Sequence, residues 1–333
     1  MSLNILFIGG TGIISSACSD LAITSGMNLF LLNRGKSSRP VPENATVLHG
    51  DIRDPESARR ALGDRTFDAV VDWVAFTPGH VEADLDLFRG RVGQYVFISS
   101  ASAYQTPPGR LPVTESTLLA NPYWEYSRDK IACEERLVRA YRDEGFPMTI
   151  VRPSHTYDRT LIPMDGGYTV IDRMRKGKPV IVHGDGASLW TLTHHRDFAR
   201  GFVGLLGNHH AVGEAFHITS DDTITWDAIH RVFAEAAGVR HPLEIVHVPS
   251  DIIAAYDPDW GAGLLGDKAH SMVFDNAKIK RFVPDFACAI PLSWGAREVM
   301  EWHDADPSRL KIDARFDALT DTIIAAQRKA IPT

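Results

Sequence analysis

The chain has 333 residues, 44% hydrophobic and 23% charged, a balance that suits a globular protein with one large core or two smaller ones. A formal net charge of -7 argues against a nucleic-acid-binding surface, and no run of about 18 apolar residues offers a membrane span. Cys18, Cys133 and Cys288 are too few and too scattered for a disulfide framework or a metal knuckle, and they read as reduced thiols.

A strand over residues 5–8 comes first, with no basic segment or cleavage site ahead of it, so a cytoplasmic protein is expected. The turn Gly9-Gly10-Thr11-Gly12 then opens a helix over 13–25. Strands follow at 28–32, 46–49, 69–74, 95–98 and 148–152, separated by helices at 55–62, 81–88 and 126–144. Near-continuous apolar strands joined by helices predict an α/β protein with a Rossmann-type, doubly wound parallel sheet. Ligands of such a sheet sit at the carboxyl ends of its strands. Beyond residue 156 the pattern loosens, and the tail from 241 mixes short elements with turn residues. The expected division is a dinucleotide-binding domain over 1–160, rejoined by 194–220, and a smaller mixed substrate-binding lobe from 161–193 and 221–333.

The Gly-rich turn stands between strand and helix, which is the setting a dinucleotide pyrophosphate requires. Gly9 permits the tight turn and Gly12 the close approach of backbone to phosphate, while Thr11, Ile13 and Ile14 lie at the positively polarised helix start. At the end of the second strand, where an acid would bind a ribose 2′-hydroxyl, stand Asn33 and Arg34. The missing carboxylate and the arginine lean toward NADP over NAD. Asp51 and Ile52, after the third strand, are placed at the adenine edge. Tyr126 and Lys130 are four residues apart, so a helix presents the phenol and the ammonium on one face. A fixed cation beside a phenol favours phenolate and prepares it to exchange a proton with a carbonyl/alcohol pair.

Gly9–Ser15, Phe97-Ile98-Ser99-Ser100 and Tyr126–Lys130 together resemble the extended short-chain dehydrogenase/reductase family, of the NAD-dependent epimerase/dehydratase type. So do Arg152-Pro153-Ser154-His155-Thr156-Tyr157 and His194-His195-Arg196-Asp197-Phe198-Ala199. The resemblance extends to an atypical branch similar to chloroplast stem-loop RNA-binding proteins. It implies that Ser100, with Ser102 as the fallback, joins Tyr126 and Lys130 in catalysis. It also implies that Lys130 holds the nicotinamide ribose, that Ala75, Phe76 and Ser99 pass beside the cofactor, and that Pro153 and His155 flank the nicotinamide. The family usually has Asn where His155 stands, so its part is open: a hydrogen-bonding imidazole, a titrating group or a packed side chain. Phe76 and Trp190 have core packing as their alternative reading.

Nucleotide-sugar members carry an Arg that clasps the diphosphate, and here its place holds Trp190. An indole cannot replace a bidentate guanidinium, although it can stack on a sugar ring. The expected substrate is therefore a small sugar-like molecule without a nucleotide, with Ser102, Trp124, Trp190, Lys268 and His270 as candidate contacts. The similarity tilts the expected activity toward an NAD(P)-dependent sugar epimerase. A dehydrogenase or ketoreductase of a polyol or sugar acid is one alternative, and a non-catalytic nicotinamide-sensing or RNA-binding relative the other. A dehydratase is disfavoured, because Ala101 and Ser102 occupy the places of its carboxylates. His194-His195 and His209-His210 lack the spacing of a metal site, so none is expected. No nucleic-acid or membrane partner is expected, and a homodimer is the family's habit.

Overall fold

The apolar runs of the first half become one parallel sheet. The structure, a computed structural model, describes residues 2–330. In chain order the elements are β1 (Asn4–Ile8), α1 (Ile13–Thr24), β2 (Asn28–Asn33), β3 (Thr46–His49), α2 (Pro55–Leu62), β4 (Ala69–Asp72), α3 (Pro78–Phe88), β5 (Tyr95–Ile98), α4 (Glu125–Glu144), β6 (Met148–Pro153), α5 (Tyr168–Arg175), α6 (His195–Val203), β7 (Ala215–Ile218) and α7 (Trp226–Ala236). The seven strands lie in the order β7-β6-β5-β4-β1-β2-β3, all parallel. The order reverses between β1 and β4, which opens the crevice where an open α/β sheet takes its ligand.

Side chains alternate across the sheet with a period of two. Ile5 and Phe7 of β1 enter the core on one face, with Leu29, Leu31, Phe198 and Phe202. Leu6 and Ile8 enter the other, with Val81, Leu85, Cys133 and Leu137 of α3 and α4. Both faces are buried, so each strand reads as continuously apolar. On the first face α1 packs along α6. A third core joins α5 and α7 through Ile171, Met174, Trp226, Ile229 and Phe233, with Val299 and Met300 from the tail.

Two sequence expectations shift. The apolar run predicts a fourth strand reaching residue 74, but β4 ends at Asp72. The Asp72 carboxylate accepts the N–H groups of Val74 and Ala75 at 2.6 and 2.9 Å, which closes a local turn and takes both residues out of the ladder. The tail is more helical than its turn residues suggest, with helices at Ser250–Tyr256, Pro258–Gly263, Ala277–Phe282, Leu292–Asp304 and Ala314–Ala330.

The turn after β1 depends on glycine. Gly9 and Gly10 have φ of 99° and 96°, and a Cβ on Gly10 would lie 2.6 Å from Leu31 Cδ2. Gly10→Ala is expected to lower stability by about 1–3 kcal/mol, read as a reduced urea midpoint at unchanged slope. A midpoint within error of the parent would show that the turn relaxes freely.

Candidate active site

Three segments build the site: the turn into α1, the end of β5, and the start of α4. A cleft of about 460 Å³ runs past Gly9 and Thr11, then Asn33, Arg34, Asp51, Ile52 and Phe76. The first amides of α1, those of Ile13 and Ile14, have no carbonyl one turn back to bond, so they are available to an anion. Gly12 N–H is turned inward to Ser15 Oγ at 2.7 Å, which fixes the helix start. At the end of β2, Asn33 Oδ1 accepts Gly35 N–H at 3.0 Å, and the exposed Arg34 stands 3.9 Å from the half-buried Asp51. The cleft, the free amides and the glycine turn fit a dinucleotide.

Helix α4 carries Tyr126, Lys130 and Glu134 at four-residue spacing, one stripe turned toward the ends of β5 and β6. Lys130 is 2% exposed and donates to the carbonyls of Ala75 and Ile98 at 2.6 and 2.7 Å. Its ammonium lies 4.7 Å from the Phe76 ring centroid and 5.7 Å from that of Tyr126. Phe76 is 44% exposed. It forms the floor of the cleft under this cation and is not a core residue. Burial brings the Lys130 ammonium down to about 8. The four-residue spacing predicts a lowered Tyr126 phenol, but burial raises it. The Ser100 hydroxyl beside it pulls the other way, and Asp267 adds to the rise. Desolvation prevails, and the lysine ammonium is turned to two backbone carbonyls.

Ser99 and Ser100 end β5 and play different parts. Ser99 turns inward to Glu134, 2.5 Å away. Ser100 faces a second cavity of about 440 Å³, which Ser102, Trp124 and Tyr126 also line. Ser127 donates to Ser102 Oγ at 2.7 Å, and Ser102 Oγ lies 2.9 Å from Ser100 Oγ, with Ser102 N–H donating to the same atom at 3.2 Å. Either hydroxyl of the Ser100–Ser102 pair can donate, and when Ser102 does so the Ser100 proton is free for an oxygen in the cavity. Ser127 is a residue that sequence reasoning passed over. Nothing in a lone buried helix serine signals such a role.

Residues 5–219 match the NAD dependent epimerase/dehydratase family. The chain belongs to that family. It is 27% identical over 290 residues to a 2'-dehydrokanamycin reductase of Streptomyces kanamyceticus, covering 86% of this chain and 80% of that one. It is 28% identical over 257 residues to a chloroplast stem-loop binding protein of Arabidopsis thaliana, covering 73% of this chain and 65% of that protein. Among solved structures, an epimerase from Methanothermobacter thermautotrophicus superposes with a TM-score of 0.75 at 19% identity, over 93% of this chain and 94% of that one. A dTDP-glucose 4,6-dehydratase of Bacillus anthracis in complex with NAD gives 0.73 at 19%, over 93% and 100%. The superpositions establish a common α/β fold.

The wall opposite Ser100 and Tyr126 comes from distant parts of the chain. Pro153 ends β6 and His155 follows it, Trp190 precedes α6, and residues 161–165 and 267–268 close the far side. Asn121 ties this wall to the opposite side: its Nδ2 donates to the carbonyls of Ser102 and Gly266 at 2.8 and 2.6 Å, and its Oδ1 accepts Trp124 N–H at 3.2 Å. Lys268 enters the cavity, 3.5 Å from Asp165. His270, expected beside it, does not line the cavity. A π-helical turn over Leu264–Lys268 points Asp267 and Lys268 inward, and the chain then leaves to pair at Ser271 and Met272 with Leu189. Asp165 and Asp267 were missed from the sequence. Burial lifts the Asp267 carboxyl to about 7, with Lys268 lowering it and Asp165 raising it.

Trp190 is 3% exposed and its ring packs 5.6 Å from that of Trp226, so it is a core residue whose edge reaches the cavity. Asp197 braces α6, accepting from Arg200 at 3.1 Å and from Ile290 N–H at 2.9 Å. Among the described residues no group of three or more His, Cys, Asp or Glu is arranged to hold a metal ion, and no helix is long and apolar enough to cross a membrane.

Proposed function

We propose that the protein is an NAD(P)-dependent oxidoreductase that interconverts a carbinol and a ketone on a sugar-like substrate without a nucleotide. One observation carries this reading: Ser100 and Tyr126 line the substrate cavity, and Lys130, one turn along the same helix, lies against Phe76 of the dinucleotide cleft. A bound nicotinamide supplies the hydride acceptor or donor. The chain's own part is to hold the substrate oxygen between Ser100 and Tyr126 and to move its proton. A phenol kept protonated by burial is ready to give that proton to a ketone oxygen as hydride arrives at carbon.

Epimerase and reductase share this step. An epimerase must turn the ketone over without releasing it, which needs a strong grip on a remote part of the substrate. The cavity's cation, Lys268, already faces Asp165, and Trp190 offers no guanidinium. That favours release of the product, hence a net reductase or dehydrogenase, in keeping with the reductase activity named for the Streptomyces relative. The experiment is a titration of purified protein with NAD, NADP and their reduced forms, followed by absorbance. Exchangeable binding with turnover of a keto sugar supports the reductase, whereas a nicotinamide retained through purification supports the epimerase. No binding of any form removes the enzyme reading and leaves an RNA-binding role, to be sought as a steeply salt-dependent affinity.

The basic turn after β2 supports NADP. Arg34→Ala is expected to weaken NADPH about tenfold and NADH hardly at all, by fluorescence titration. Equal loss for both would assign Arg34 to the ribose or adenine instead.

Asp165 and Asp267 make the cavity hostile to a diphosphate and hospitable to an amine. Asp267 gains charge as pH rises through about 7. For an amine-bearing keto sugar, KM is expected to fall over that rise, and Asp267→Asn to flatten the profile. A profile unchanged by the substitution would exclude contact between Asp267 and the substrate.

A further inference from the structure

Trp190 and His155 form a hydrogen-bonded pair in the cavity wall, with Trp190 Nε1 donating to His155 Nδ1 across 3.2 Å. The rings meet edge to face, with centroids 6.3 Å apart at 77°. An indole N–H can only donate, so Nδ1 must accept. A neutral imidazole that accepts at Nδ1 carries its proton on Nε2. Nε2 has no hydrogen-bond partner among the described residues, yet it is not one of the buried atoms left unpaired, so it retains accessible surface. His155 lines the cavity that Ser100 and Tyr126 line. Its one free polar atom therefore has the cavity as its outlet.

We propose that Trp190 locks His155 as an Nε2–H donor and that this donor holds an uncharged oxygen of the substrate beside the reacting carbon. The proposal rests on the reading of the cavity as a sugar-like substrate site, and it names what the Trp190 position does there. A guanidinium at that place would seek an anion, whereas an indole that fixes a neutral imidazole selects a hydroxyl, ether or carbonyl oxygen.

The surroundings keep the imidazole neutral. Burial brings it down to about 3, the Lys268 ammonium acts in the same direction, and the Asp165 carboxylate opposes both weakly. His155 is thus a donor of constant charge across the physiological range. It positions the substrate and takes no part in the proton transfer assigned to Tyr126.

The lock is tested without a substrate. In the NADP-loaded protein, 15N spectra of the imidazole are expected to show a protonated Nε2 and a bare Nδ1 from about pH 5 to 8, the window in which an ordinary histidine titrates. A mixture of tautomers is expected in Trp190→Phe. A proton on Nδ1, or titration near the ordinary histidine value, overturns the proposal. The contact is tested by kinetics with a keto sugar that the parent enzyme reduces with NADPH. His155→Ala is expected to raise KM about tenfold with kcat little changed, the loss of one neutral hydrogen bond. His155→Gln restores much of it, because the longer amide reaches the Nε2 position. Trp190→Phe raises KM several-fold when His155 is present and leaves it unchanged when combined with His155→Gln, a coupling expected only of residues that act together. An equal effect of Trp190→Phe in both backgrounds makes it a packing residue and overturns the pairing. If no keto sugar turns over, the functional reading itself fails, while the imidazole spectra still decide the lock.

Discussion

Tyr126→Phe is expected to reduce kcat by about 100- to 10,000-fold, the usual contribution of a positioned proton donor. The substitution removes one oxygen and keeps the ring that packs 4.9 Å from Trp124. NADPH affinity should therefore survive, and the loss should fall on kcat while KM moves little. Single-turnover NADPH oxidation measures this directly, and a solvent isotope effect present in the parent should change when another group takes over the proton. Lys130→Met serves as a contrast. It removes the donor that spans the Ala75 and Ile98 carbonyls, so it should disturb cofactor binding as well as rate. Equal kcat for Tyr126→Phe and the parent would remove the phenol from the chemistry. Ser100, which lines the cavity with it, would then be the first donor to test in its place.

The parts of this site that sequence makes legible are those fixed by local pattern. Gly9 to Gly12 lie between a strand and a helix, so their setting is visible in a short stretch of chain. Tyr126 and Lys130 share a helix face because one helical turn brings them together. The sheet was legible because strands buried on both faces read as unbroken apolar runs. The end of β4 was not, since the Asp72 carboxylate captures two amides that an apolar run would otherwise offer to the ladder. The two acids of the far wall were beyond reach for a different reason. Asp165 and Asp267 meet Ser100 only after three separated segments have packed, and each residue alone is an ordinary loop acid. His155 and Trp190 were noticed separately, and their hydrogen bond joins positions 35 residues apart. The direction of the Tyr126 shift turned on a quantity no spacing carries, namely how deeply the phenol is buried.

The same stripe of α4 carries the largest stability effect expected in the chain. Glu134 is 2% exposed and grips Arg152, itself 5% exposed, through two hydrogen bonds: Nε to Oε1 at 2.9 Å and Nη2 to Oε2 at 2.5 Å. Ser99 adds a third bond to Oε1 at 2.5 Å. Burial opposes the Arg152 charge, and the bonds and charge of Glu134 more than offset that opposition, so the guanidinium is held above its ordinary value. Glu134→Ala strips the partner and leaves a buried cation 4.8 Å over the Tyr104 ring. The expected cost is about 3–5 kcal/mol, read as a lower urea midpoint. Replacing both members with methionine should cost far less than the single change, because no charge is then left unpaired. Glu134→Ala also frees Ser99 next to Ser100, so the fraction that remains folded should show reduced kcat. A single substitution that costs no more than the double one would mean that water reaches Arg152, and the pair would then have no special hold on the end of β5.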